Sequence, residues 1–210
     1  MLVWINGPFG GGKTQTAHEL QRRLPGSVIC DPERVGFGLH GMMPATLRRD
    51  FQDLEAWRSG VREVLDLVLQ RHEGVVIAPM TVVEPTYLQE IVGGLKDRGH
   101  TVRHYTLLAE RETVLKRLRE RGFGHVLHAV GRKDAQLRRE SFAVSMLDRC
   151  LQRLPDPFFA EHLHTDHLAV SDVAERIAAS AALDLSPADT NPLRSRLRRT
   201  WVGIKHIRFD

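Results

Sequence analysis

The chain has 210 residues, of which 42% are apolar and 27% charged, and a formal charge of +4. This is enough for one large domain with a buried core. The charge is too small to argue for a nucleic-acid partner, and no apolar run approaches the roughly 20 residues of a membrane span. The opening MLVWINGPFG has neither a basic n-region nor a small-residue cleavage site, so the cytoplasm is the expected location. Cys30 and Cys150 suit neither a zinc site nor a disulfide framework and are expected as reduced thiols.

In chain order, Leu2 to Asn6 is a short apolar run and predicts the first strand. A helix follows from Thr14 to Leu24, closed by Pro25-Gly26, and Ser27 to Cys30 predicts the second strand. Leu54 to His72 has helical spacing, with Trp57, Val61, Val64, Leu65 and Val68 on one side. Val75 to Ala78 reads as a buried strand, Pro85 to Arg98 as a helix, and Thr101 to Ala109 as the fourth strand. Arg111 to Arg121 is helical, 122–134 irregular, and Ala135 to Leu154 helical again. His162 to His167 predicts a fifth strand, and Ser171 a cap for a helix reaching about Leu183. Strand and helix alternate, so the expected fold is α/β, a parallel sheet with helices on both faces. The domain is expected over 1–185. The stretch from Ser186 to Pro192 reads as a linker, and a basic tail follows to 210.

The chemistry concentrates in Gly7-Pro8-Phe9-Gly10-Gly11-Gly12-Lys13-Thr14, which matches G-x-x-x-x-G-K-[ST] between an apolar strand and a helix. Glycines let successive backbone N–H groups face phosphate, and the helix N-terminus adds its positive end. Lys13 is expected to reach the β- and γ-phosphates of ATP, Thr14 to ligate Mg²⁺, and Gln15 to complete the nucleotide contact. The glycine spacing does not fit a dinucleotide fingerprint.

A P-loop fixes the nucleotide and leaves the reaction open. The basic helix Leu115 to Arg121, followed by a segment rich in Arg and His, suits a lid over about 122–140 that closes on the transferring phosphoryl group. Arg117 and Arg121 are candidate phosphate clamps, and Arg132, Arg138 and Arg139 candidate lid arginines; the alternative is a solvated basic face. Asp31 follows the second strand at the edge where open α/β sheets bind ligands. It is a candidate to receive an acceptor proton, or else it closes a turn before Pro32. The third strand carries no acid, so Mg²⁺ would lean on Asp31, Glu84 or the phosphate oxygens. Thr81 is a candidate acceptor contact, or a satisfied strand-end hydroxyl. His162 and His164 share a strand face that His167 does not, which argues against a metal there.

The sequence resembles the ATP-binding tunicamycin-resistance protein family over nearly its whole length. The likeness rests on Trp4-Ile5-Asn6-Gly7, Gly12-Lys13-Thr14-Gln15-Thr16-Ala17, Asp31-Pro32-Glu33 with Gly36-Phe37, and Asp50-Phe51-Gln52 with Trp57-Arg58. It continues through Pro79-Met80-Thr81, Leu115 to Arg119, Asp148-Arg149-Cys150 and Lys205 to Arg208. The resemblance implies the nucleoside-monophosphate-kinase branch of P-loop folds, a five-stranded parallel sheet in order 2-3-1-4-5, and tunicamycin resistance. The stretch from Gly122 to Glu140 is longer than the family pattern.

The expected function is therefore an ATP-dependent phosphotransferase acting on a hydroxyl of tunicamycin or a related nucleotide-sugar-like compound. Phosphorylation would inactivate the drug, because a target shaped for the uncharged molecule must bury an unpaired charge. Two alternatives stay open: a protein that sequesters tunicamycin with ATP closing the site, and a small-metabolite kinase. In the tail, Leu193, Leu197, Trp201 and Ile204 follow helical spacing among Arg194, Arg196, Arg198, Arg199 and Lys205. Such a segment either packs on protein or lies on an anionic membrane surface, where a lipid-tailed drug would be met.

Overall fold

The computed structural model describes residues 1–121, 146–159 and 161–187, with backbone only at 119–121. The lid range with Arg132, Arg138 and Arg139, and the tail from 188 onward, lie outside the described residues.

Five parallel strands form one sheet in the order β2-β3-β1-β4-β5, as the family resemblance implies. They are β1 (Leu2–Asn6), β2 (Val28–Ile29), β3 (Val76–Pro79), β4 (Val102–Leu108) and β5 (His162–His164). β1 is central and buried at all five positions, the mark of a strand covered on both faces. Its side chains alternate between two apolar layers: Leu2 and Trp4 enter one, Val3 and Ile5 the other.

The helices are α1 (Lys13–Arg23), α2 (Glu33–Met42), α3 (Glu55–Arg71), α4 (Pro85–Leu88), α5 (Gly94–Asp97), α6 (Arg111–Arg121), α7 (residues 146–153) and α8 (Val170–Ser180). α1 and α8 cover the Val3–Ile5 face through Ala17, Leu20, Val173, Ala174, Ile177 and Ala178. α3, α4, α5 and α7 cover the Trp4 face through Trp57, Val61, Leu65, Leu88, Leu95 and Cys150. Each large apolar side chain so buried stabilises the fold by about 1.5–3 kcal/mol before entropy is counted.

Four local expectations need correction. Val64 is 50% exposed, because it sits at the edge of a stripe that Trp57, Val61 and Leu65 define. The helix expected over 85–98 is interrupted by a π-helical turn at Gln89–Gly93 between α4 and α5. Ser171 lies inside α8; the cap is Ala169, whose N–H donates to Asp172 Oδ2 at 3.1 Å. The fifth strand ends at His164, and the His162 ring donates to Leu154 O at 2.9 Å.

α2 was not anticipated. Gly36, Gly38 and Gly41 lie within it, and each costs a helix about 1 kcal/mol relative to alanine. Packing overrides that propensity. A Cβ on Gly36 would stand 2.5 Å from the Phe51 ring, so α2 and the segment after it close to a distance that only glycine permits. Phe51 meets Phe37, His40 and Trp57 edge-on or tilted, with ring centroids 5.4–6.0 Å apart. Trp57 Nε1 donates to Pro32 O at 3.0 Å and ties α3 back to the start of α2.

The start of the expected linker is held. Ser186 N donates to Arg23 O at 2.9 Å, and Arg23 Nε returns a bond to Ser186 O at 2.7 Å. No helix among the described residues is long and apolar enough to cross a membrane.

Candidate active site

The loop between β1 and α1 is fixed from below by Asn6. Its Oδ1 accepts from Gly7 N and Val82 N, both at 2.9 Å, and its Nδ2 donates to Val82 O at 2.8 Å. One fully buried amide thus joins the start of the P-loop to the chain leaving β3. Gly7 has φ +146, and a Cβ there would lie 2.8 Å from Leu107 O of β4, so the loop leaves the sheet where a side chain cannot fit.

α1 begins with no side-chain cap on Gly12 and no acidic residue in its first turn. Its N-terminal N–H groups and positive dipole end therefore face the loop without a competing carboxylate, which suits phosphate. Thr14 follows in the same turn, where its hydroxyl would hold Mg²⁺ beside the nucleotide's own oxygens. Among the described residues, no three His, Cys, Asp or Glu side chains converge on a common point. The Thr14 hydroxyl, together with the phosphate oxygens of a bound nucleotide, would offer magnesium the oxygen donors it takes through substrate phosphate. Lys13 is only 9% exposed. Its Nζ donates to Gly7 O and Pro8 O, both at 2.9 Å, and lies 5.6 Å from the Phe9 ring centroid. The ammonium is already gathered over the loop where the phosphates would sit.

α6 supports the far side of the loop. A Cβ on Gly10 would meet Leu118 at 2.9 Å and Val114 at 3.2 Å. Arg117, on that same helix, donates to Thr165 Oγ1 at 3.0 Å and to Thr165 O at 2.6 Å. In this structure Arg117 braces α6 against the exit of β5. The side chain of Arg121 lies outside the described residues.

Asp31 stands after β2, and its Oδ1 accepts from Glu33 N at 3.0 Å. This is the turn-closing arrangement that its position before Pro32 allowed. Thr81 is 2% exposed and its hydroxyl donates to Gly7 O at 2.8 Å, the carbonyl that also receives Lys13.

Beyond Thr81 a small pocket, open to solvent, lies at the carboxyl edge of the sheet, lined also by Asp50, Asp53, Glu84, Tyr87 and Arg149. Three separated stretches build it. Asp50 Oδ1 accepts from Gln52 N at 3.0 Å, and burial pushes the Asp50 carboxyl above its ordinary value. Tyr87 OH donates to Asp53 Oδ1 at 3.0 Å, a bond that raises the phenol's own pKa. Arg58 stacks 4.5 Å from the Tyr87 ring centroid, donates to Gln52 O at 2.7 Å and pairs with Glu90 at 2.6 Å. Arg149 of α7 pairs with Glu84 at 2.5 Å. The next residue, Cys150, lies against the P-loop, where it accepts from the Phe9 backbone. Burial holds its thiol up at about 11, so it stays protonated and packs as an apolar group.

Residues 2–143 match the AAA domain family. A solved structure, the tunicamycin resistance protein of Deinococcus radiodurans, is 33% identical with a TM-score of 0.70, over 89% of this chain and 99% of that one. The chain belongs to the tunicamycin-resistance protein family. Within that family the P-loop is an ATP site. The fold is that of P-loop small-molecule kinases. A sugar kinase from a Janibacter species is 16% identical with a TM-score of 0.57, covering 87% of this chain and 94% of that one. Shikimate kinase from Bacteroides thetaiotaomicron is 20% identical with a TM-score of 0.51, covering 87% and 99%. Both share the architecture only. No curated protein matches the chain.

Asn6, Asp50, Tyr87 and Arg149 were not singled out as site residues from the sequence. Asn6, Asp50 and Arg149 do fall in blocks that carry the family resemblance, which was the available signal. Tyr87 had none.

Proposed function

We propose that this protein is an ATP-dependent phosphotransferase that moves the γ-phosphoryl group to a hydroxyl of tunicamycin or a related nucleotide-sugar-like compound. One observation supports this most. Lys13 and Thr81 both donate to the Gly7 carbonyl, so the lysine of the nucleotide site and the wall of the neighbouring pocket meet at a single atom. A phosphoryl group held by Lys13 then borders the pocket that would receive an acceptor.

The uncapped N–H groups of α1 bind the phosphates, and Lys13 shifts from the loop carbonyls to the β- and γ-phosphate oxygens. Mg²⁺ held by Thr14 supplies neutralising charge on those oxygens when bound. The pocket lined by Thr81 and Arg149 orients the acceptor and excludes water from the transferring group. The kinase-like fold and the 33% identical tunicamycin resistance protein favour this substrate.

The test is incubation of the purified protein with ATP, Mg²⁺ and tunicamycin, with the drug read by mass spectrometry and Lys13→Ala run alongside. One phosphoryl group gained by the drug with wild type, and at least about a thousandfold less with Lys13→Ala, is the expected result. An unmodified drug that still binds the ATP-loaded protein would point to sequestration. The absence of an acid on β3 is the one feature that favours that second reading.

A further inference from the structure

The pocket beside the P-loop has a charge pattern that selects its occupant. Among the described residues, Asp50, Asp53 and Glu84 face it against one guanidinium, Arg149. Arg149 is paired to Glu84, and Asp53 accepts from Tyr87. Asp50 differs from both: one oxygen accepts from Gln52 N, and the other has no hydrogen-bond donor among the described residues. Three carboxylates and a committed arginine repel a phosphate- or carboxylate-bearing acceptor, and they offer oxygen acceptors to hydroxyl groups.

Resting on the phosphotransferase reading above, we infer that this pocket takes an uncharged polyhydroxylated acceptor, a sugar rather than a nucleotide or sugar acid, and that Asp50 is the carboxylate that receives the proton of the reacting hydroxyl. The acceptor oxygen bonds to the γ-phosphorus as the bond from that phosphorus to the β,γ-bridging oxygen breaks. ADP leaves, and the hydroxyl proton passes to Asp50. The placement supports this. Asp50 shares the pocket with Thr81, whose hydroxyl is bonded to the carbonyl that holds Lys13. α7 carries Arg149 on the pocket and Cys150 on the P-loop, so acceptor wall and nucleotide loop are neighbours on that side as well. Asp31 has one oxygen engaged in closing the first turn of α2 and is not among the residues lining the pocket. Burial raises the Asp50 pKa, which makes it a stronger proton acceptor than a solvated carboxylate.

The experiment compares wild type with Asp50→Asn, using ATP and Mg²⁺ with tunicamycin as the uncharged acceptor and uridine monophosphate as the anionic one. Phosphorylated product is read by mass spectrometry, and nucleotide affinity by titration of a fluorescent ATP analogue. Asparagine keeps the oxygen that accepts from Gln52 N, so the turn survives. Wild type is expected to favour tunicamycin, with kcat in Asp50→Asn lowered roughly 10²- to 10³-fold while ATP-analogue affinity holds within about twofold. Turnover by Asp50→Asn within threefold of wild type, or preferred phosphorylation of uridine monophosphate, overturns the assignment. Failure of wild type to phosphorylate either acceptor removes the phosphotransferase reading and the proton-acceptor role together. Calorimetric titration of tunicamycin then tests the pocket itself: loss of binding in Asp50→Lys retains it, and unchanged binding overturns it.

Discussion

The nucleotide side of this molecule and the side proposed for the acceptor are built by different means. The P-loop is one continuous octapeptide whose donors are mainly backbone N–H groups and a single lysine. The pocket proposed for the acceptor draws on the segment around Asp50, the β3 exit from Thr81 to Tyr87, and α7, which lie far apart in the chain. Backbone donors cannot be exchanged by substitution, so a phosphate cradle can serve many reactions unchanged. A pocket of side chains from separate stretches can be retuned one residue at a time. In such a fold the phosphate site is fixed locally, whereas a pocket like this one, and any acceptor it would take, is set by tertiary contacts.

Asn6 is where the two sides meet, and its removal should have the largest effect on the fold. Asn6→Ala leaves Gly7 N, Val82 N and Val82 O without their buried partner. A loss of about 3 kcal/mol in urea unfolding is expected, at about 1–3 kcal/mol for each stranded group with partial relaxation. Weaker binding of both ATP and acceptor should accompany it. If only one ligand is affected, the two sides are less joined than this bond pattern implies.

The next effect acts on the shared sheet. Burial, then Lys96 and His162, hold the His104 imidazole down at about 4. Above pH 6.5 it is neutral in both folded and unfolded chains and contributes no pH dependence. As pH falls from about 6.5 towards 4, the unfolded chain takes up a proton that the folded one refuses, and stability is lost by about 3 kcal/mol. Urea midpoints at pH 7 and pH 4.5 should therefore differ more in wild type than in His104→Gln. Because β4 pairs with β1 at Trp4–His104, both sides should weaken together.

The smallest effect should separate them. Gly36→Ala pushes a methyl into the Phe51 ring, and overpacking of this kind costs about 1–3 kcal/mol. The displacement reaches Asp50 and Gln52 through Phe51, so acceptor KM should rise several-fold while the affinity for an ATP analogue stays unchanged. Equal losses on both sides would show that α2 supports the P-loop too.

Much was legible in the sequence because it is written at short range. The β1–P-loop–α1 unit follows from an apolar run, a glycine motif and a helical pattern, and the alternation of elements implied the parallel sheet. The order 2-3-1-4-5 came through family resemblance, and it matches. Propensity misled where packing outweighed it: three glycines hid α2, whose close approach to Phe51 requires one of them. Asp31 was prominent because it follows a strand, and its described bond closes a turn. Asp50 follows no strand and is marked in the sequence only by a block of family resemblance, and its place on the pocket emerges when folding sets it beside Thr81 and Arg149. The sequence by itself determined the phosphate cradle, since adjacent residues share one loop whatever the rest of the chain does. Only the tertiary structure decided the neighbouring pocket, because side chains separated by dozens of residues acquire a common field only once the sheet and its helices bring them together.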